Sequence, residues 1–159
     1  MNMDRLNRWL TLAANIGVLI GMILLLMELN QNQEIARAQI RNEIYQGLTS
    51  ITMVGQDYAQ LLAKANAGET LSPDEAILLS GFSEQVLRYW ENANYQYTMG
   101  MYDETEYSAH KNTIRSATLE LFPAALIPHY CQNRDGFSES YRILMDDIVT
   151  ADMCKKYQE

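Results

Sequence analysis

Nineteen consecutive residues, Trp9 through Met27, carry no charged side chain. They read Trp-Leu-Thr-Leu-Ala-Ala-Asn-Ile-Gly-Val-Leu-Ile-Gly-Met-Ile-Leu-Leu-Leu-Met. At about 1.5 Å rise per residue a helix of that length spans about 28 Å, close to the hydrocarbon thickness of a bilayer. Trp9 marks one end, where an amphipathic ring prefers the interface. Arg5 and Arg8 lie just before the run and Glu28 just after it. A cleavable signal peptide also has a basic start and an apolar core, but its core is shorter and ends in small residues. Here the run ends Leu-Leu-Leu-Met-Glu-Leu-Asn-Gln. A buried core helix is rarely apolar on every side. The run therefore predicts a membrane helix, with residues 1–28 as anchor and 29–159 as a soluble domain.

Averages hide this division. The 159 residues are 48% hydrophobic and 20% charged, with a net charge of −8. From Glu28 onward ten Lys or Arg face nineteen Asp or Glu, so the soluble part carries about −9. Nucleic-acid binding rests on clustered Lys and Arg against phosphate. No basic stripe is present, which argues against a nucleic-acid partner. Arg5, Arg8 and the free amine crowd the N-terminal flank, while Arg37 and Arg41 lie further from the other end. The positive-inside bias thus favours a cytoplasmic N-terminus and an exported domain.

Ala13, Gly17 and Gly21 recur every four residues and share one helix face. Gly17-x-x-x-Gly21 matches the small-residue pattern that lets two membrane helices approach closely. Asn15 is polar within the run, where an amide needs a hydrogen-bond partner. These four residues point to self-association or a partner subunit. Trp9, Asn15-Ile16-Gly17, Ile20-Gly21 and the exit Glu28-Leu29-Asn30-Gln31-Asn32 resemble the anchor of a group of small bacterial single-pass membrane proteins of uncharacterised function. The aromatic residues around Gly100 and Asp103 are similar too. The resemblance implies a bacterial inner-membrane protein; the periplasmic side for the domain rests on the flanking charges alone. It implies no catalytic residue and no cofactor.

The remainder reads as helix. No breaker separates Met27 from Gly47, so the anchor is expected to continue into water, with Leu29, Ala36, Ile40 and Ile44 on a sparse apolar face. A second stretch is expected from about Ile51 to Ala65, ending at Gly68. Ser72, Pro73 and Glu75 form a capping-box start for a third helix. Its stripe is Leu79, Phe82, Val86, Trp90, Ala93 and Tyr97, with Glu84, Arg88 and Glu91 as an ion-pair ladder on another face. Asp103 can cap a fourth helix whose stripe is Tyr107, His110, Ile114, Ala117 and Leu121. Pro123 closes it or opens the next. After Asn133–Gly136, Ser138 can cap a last helix with Tyr141, Leu144, Met145 and Ile148 inward. The fold class is all-α: a transmembrane helix continuing into a bundle of about four or five helices.

Chemistry is sparse. His110, His129 and a carboxylate such as Glu84 or Glu91 are the only residues that suggest a metal, yet the paired Glu-x-x-His of iron bundles and the His-Glu-x-x-His of zinc hydrolases are absent. Cys131 and Cys154 form no CxxC; they are either one disulfide or two buried thiols. No cofactor motif and no nucleophile motif occurs, so the expectation is a protein that is not an enzyme. Six aromatic residues, Tyr89, Trp90, Tyr95, Tyr97, Tyr102 and Tyr107, gather around one helix–turn–helix. They build either a tyrosine-rich core or a docking surface or ligand pocket, for which Trp90, Tyr97, Tyr107 and His110 are the candidates. The leading expectation is a membrane-anchored interaction or scaffold protein, a homo-oligomer or an accessory subunit of a larger membrane complex. The alternative is a membrane-tethered ligand-binding or sensing domain.

Overall fold

A computed structural model describes residues 3–157 of a chain that divides into two units, Met1–Gln39 and Ile40–Glu159. Helix α1, Met3–Asp57, runs through both. It is followed by α2 (Ala59–Asn66), α3 (Pro73–Thr98), α4 (Glu104–Ser116), α5 (Pro123–Asn133), α6 (Glu139–Ile148) and α7 (Ala151–Lys155). No strand occurs among the described residues. The all-α class is as expected, with a short seventh helix beyond the expected set.

The first unit is the N-terminal part of α1. One 18-residue window has a mean hydropathy of 2.4 and none of it is buried, so this helix is long and apolar enough to cross a membrane.

In the second unit α3 and α5 form the centre. Helix α3 packs on α5, α6, α4 and α2, and α5 also packs on α2 and α7. The α3 start is local chemistry: Glu75 N–H donates to Ser72 Oγ (3.3 Å), and Ser72 N–H donates to Glu75 Oε2 (2.7 Å). Two orphan donors of the first turn are thereby satisfied. The Glu75 carboxylate also takes Lys64 Nζ, and these partners hold its pKa down to about 2. Leu79, Phe82, Val86, Trp90 and Ala93 face the core as their spacing requires. Gly100 ends the helix at φ +70°, a left-handed conformation that side-chain-free glycine adopts cheaply. Its N–H reaches Tyr97 O, and Met101 N–H reaches Gln96 O. Asp103 Oδ1 then accepts from Thr105 and Glu106 N–H and caps α4 as its sequence position suggests.

Three details differ from expectation. First, no separate helix begins at Ile51. Helix α1 runs to Asp57, and across its only break, at Tyr58, the ladder continues through Tyr58 N–H to Val54 O and Leu62 N–H to Tyr58 O. Gly47 does not break the helix; it makes room for the Tyr89 ring, which lies 2.6 Å from where a Cβ would stand. Second, Leu121 leaves its stripe and is 56% exposed. Residues Ala117–Leu121 form a π turn in which Phe122 N–H bonds Ala117 O. The extra residue rotates the register, and half-buried Phe122 packs on the core instead, edge-on to Phe82. Third, Ser138 precedes α6 without a side-chain capping bond. Its backbone N–H is taken by Glu91 Oε1 at 2.6 Å.

Candidate functional site

The face proposed for helix packing is open. A Cβ built on Gly17 or Gly21 would meet no atom within 4 Å. Ala13, Asn15 and Gly17 are exposed, and Gly21 is half-exposed. Thirteen large apolar side chains between Trp9 and Met27 are exposed, from 48% at Ile16 to 70% at Trp9. Each costs on the order of 1 kcal/mol if left in water, so the set costs on the order of ten, comparable with the whole stability of a small domain. An apolar surrounding would remove that cost.

The second candidate is the aromatic cluster of α3 and α4. Trp90 and Tyr107 are 3% exposed and His110 is 6% exposed, whereas Tyr97 is half-buried. Tyr97 and Tyr107 stack with ring centroids 3.9 Å apart. Tyr107 Oη donates to Asn94 Oδ1, and Asn94 Nδ2 donates to Ser140 Oγ at 3.1 Å, which ties α4, α3 and α6 together. The Tyr89 and Tyr102 rings stand edge-on to His110 at 5.8 and 6.2 Å. His110 Nε2 is buried and makes no hydrogen bond. Burial alone pushes its pKa down to about 4, so the ring is neutral. Burial also raises the tyrosine hydroxyls, Tyr107 to about 12. Three of the four residues named for this site are thus inside the core, and Tyr97 borders it.

A third arrangement joins His129 and Glu84, named in the sequence only as possible metal ligands with His110, to Ser80, which the pattern did not single out. His129 on α5 lies between two residues of α3: its Nε2 is 2.7 Å from Glu84 Oε2, and its Nδ1 is 3.3 Å from Ser80 Oγ. Glu84 is held below its ordinary pKa, first by His129 and then by Arg88. An ionised Glu84 accepts from Nε2–H, which leaves Nδ1 as the acceptor for the Ser80 hydroxyl. The three line a groove of about 660 Å³ with Arg88, Gln132 and Arg134. The polarity is that of a serine–histidine–carboxylate relay. Acyl transfer also needs donors aimed at the developing oxyanion. Ser80 and Gly81 lie inside α3, where backbone N–H groups are consumed by the helix ladder. Both arginines are committed as well: Arg88 to Glu84, Glu91 and Gly136 O, and Arg134 to Asp146. The arrangement fits a polar clamp between α3, α5 and the start of α6. Among the described residues no three His, Cys, Asp or Glu side chains converge as metal ligands.

Cys131 and Cys154 are bonded, with Cα atoms 5.3 Å apart, joining α5 to α7. No family model, curated protein or solved structure matches the chain.

Proposed function

We propose that the chain is a single-pass protein of a bacterial inner membrane whose helical domain is a non-catalytic interaction module. It associates with copies of itself, or docks as an accessory subunit on a larger membrane complex. The observation that carries this reading is the set of thirteen apolar side chains that the chain itself leaves uncovered. The open Ala13, Gly17 and Gly21 face supports association, because small residues let helix backbones approach where lipid supplies no hydrophobic drive. The Cys131–Cys154 bond supports an exported domain, since such bonds persist in oxidising compartments. It agrees with the flanking arginines, and the likeness to small bacterial anchored proteins belongs to the same proposal.

Membrane fractionation tests it. The full-length protein is expected to stay with membranes through an alkaline wash and to leave only in detergent. Cross-linking in native membranes is expected to capture dimers or larger species. A chain that stays dispersed without detergent, or one that is strictly monomeric with no co-purifying partner, refutes the reading.

A second reading, a sensing domain, draws on one observation: a buried, neutral His110 whose Nε2 has no hydrogen-bond partner.

A further inference from the structure

The stretch Ile40–Asp57 is the part of the domain through which the chain leaves toward the N-terminal run. Its attachment is light. Backbone packing ties α2 through α7 to one another more closely than to α1. Near its N-terminal end the stretch is held by few groups. Tyr89 Oη donates to Ile44 O at 2.7 Å, Arg41 pairs with Glu106 at 2.7 Å, and Ile44 is buried. Gly47 lets the Tyr89 ring approach the helix backbone. His110 stands directly behind this attachment, with its ring against Tyr89 and Tyr102.

We propose that His110 is the trigger of an acid-released latch: its neutral ring holds Tyr89 and Tyr102 in place under the Ile40–Asp57 stretch, and protonation frees that stretch from α3 and α4.

The surroundings offer an imidazolium no relief. The rings against His110 are Tyr89 of α3 and Tyr102 of the turn before α4, whose hydroxyls are raised by burial and therefore uncharged, and the carboxylate in that turn, Asp103, is engaged by the backbone N–H groups of Thr105 and Glu106. On α4 itself, Glu106 lies one turn earlier and is engaged by Arg41, while Lys111 lies over the Tyr107 ring. On α1 the nearby charge is Arg41, of the same sign. A buried charge without an acceptor is costly, and moving the ring into water removes that cost. Closed, the ring titrates at about 4; open to water, it titrates near the ordinary 6.5. The closed form therefore binds fewer protons between those values, and it loses stability as pH falls from 6.5 toward 4. At pH 4.5 the opening constant should exceed its neutral value by about 60-fold. Opening uncovers the apolar residues Ile51 and Val54, which pack against the core when the latch is closed.

Hydrogen–deuterium exchange on the full-length protein in detergent micelles tests this, with protection referenced to the intrinsic rate at each pH. Between pH 7 and 4.5, protection over Ile40–Asp57 is expected to fall by about 60-fold while α5 keeps its own. His110→Gln should abolish that response. Tyr89→Phe, which deletes only the bond to Ile44 O, should loosen the same stretch at neutral pH. An acid response equal in His110→Gln and the parent overturns the latch. So does simultaneous loss of protection in α3, α5 and the stretch, or a Tyr89→Phe variant as protected as the parent.

Discussion

Trp9–Met27 and Leu79–Ala93 are both helical and both rich in large apolar side chains, but they solve opposite problems. In α3 the apolar residues return every three or four positions, and Leu79, Phe82, Val86, Leu87, Trp90 and Ala93 are all buried. The opposite face carries Glu84, Arg88 and Glu91, joined to one another through Arg88. In the N-terminal run the apolar residues have no opposite face, and none of the window is buried. Periodicity therefore encodes what surrounds a helix: a stripe asks for one neighbouring surface, and a full coat asks for apolar surroundings on every side.

The largest effect that tests this contrast is truncation within each stretch. Trp90→Ala should cost the domain about 3–5 kcal/mol, read as a shift of the denaturant midpoint, because it opens a cavity among α3 and its neighbours. Leu24→Ala, which removes a side chain that touches no core, should leave that midpoint within about 0.5 kcal/mol of the parent. A comparable loss in both would mean that the run is a core helix of some larger assembly rather than a lipid-facing one.

Next comes the clamp at the C-terminus. The Cys131–Cys154 bond closes a loop with a sequence separation of 23 and joins α5 to α7. Removing it with paired Cys131→Ser and Cys154→Ser changes should cost about 3 kcal/mol, chiefly by freeing the unfolded chain. Reductant should reproduce the loss in the parent and leave membrane retention unchanged. Stability indifferent to reductant would mean that the thiols are unpaired in the native protein, and would remove one support for an exported domain.

What could be read from the chain sorts by distance. The α3 start was legible because Ser72, Pro73 and Glu75 act on one another within a single turn. The same holds for Asp103 at the start of α4 and for the α3 and α4 stripes. His110 was legible as a member of the α4 stripe, and its burial follows from that place. Leu121 was misplaced because the π turn at Ala117–Leu121 is a register change that a 3.6-residue pattern does not announce. The groups that complete the clusters were hidden for a similar reason. Ser80 and Glu84 meet His129 only once α5 lies on α3, and Tyr89 reaches His110 only once α4 does. Cys131 and Cys154 pair because α7 folds back to α5, which their spacing alone left open. At the candidate packing face, Ala13, Gly17 and Gly21 are legible as a pattern, but a partner helix is not encoded in any one chain's geometry.

Glycine gives the finest form of the contrast, because the same residue serves two ends. At Gly17 an added Cβ would meet open space, whereas at Gly47 it would lie 2.6 and 2.8 Å from Tyr89 Cε2 and Cδ2. The Tyr89 ring cannot swing away freely, since its hydroxyl is fixed to Ile44 O and its edge meets His110. Alanine improves helix propensity by about 1 kcal/mol at either position. At Gly47 that gain is outweighed by overpacking of about 1–3 kcal/mol, so Gly47→Ala should destabilise the domain by about 1 kcal/mol. Gly17→Ala should leave the domain's melting unchanged and instead lower the yield of cross-linked dimer in membranes, where the added methyl holds two backbones apart. If Gly47→Ala were neutral, the close seating of Tyr89 would be wrong, and with it the latch. If Gly17→Ala left cross-linking untouched, association would have to run through the helical domain, and the small-residue face would be only the composition common in membrane helices.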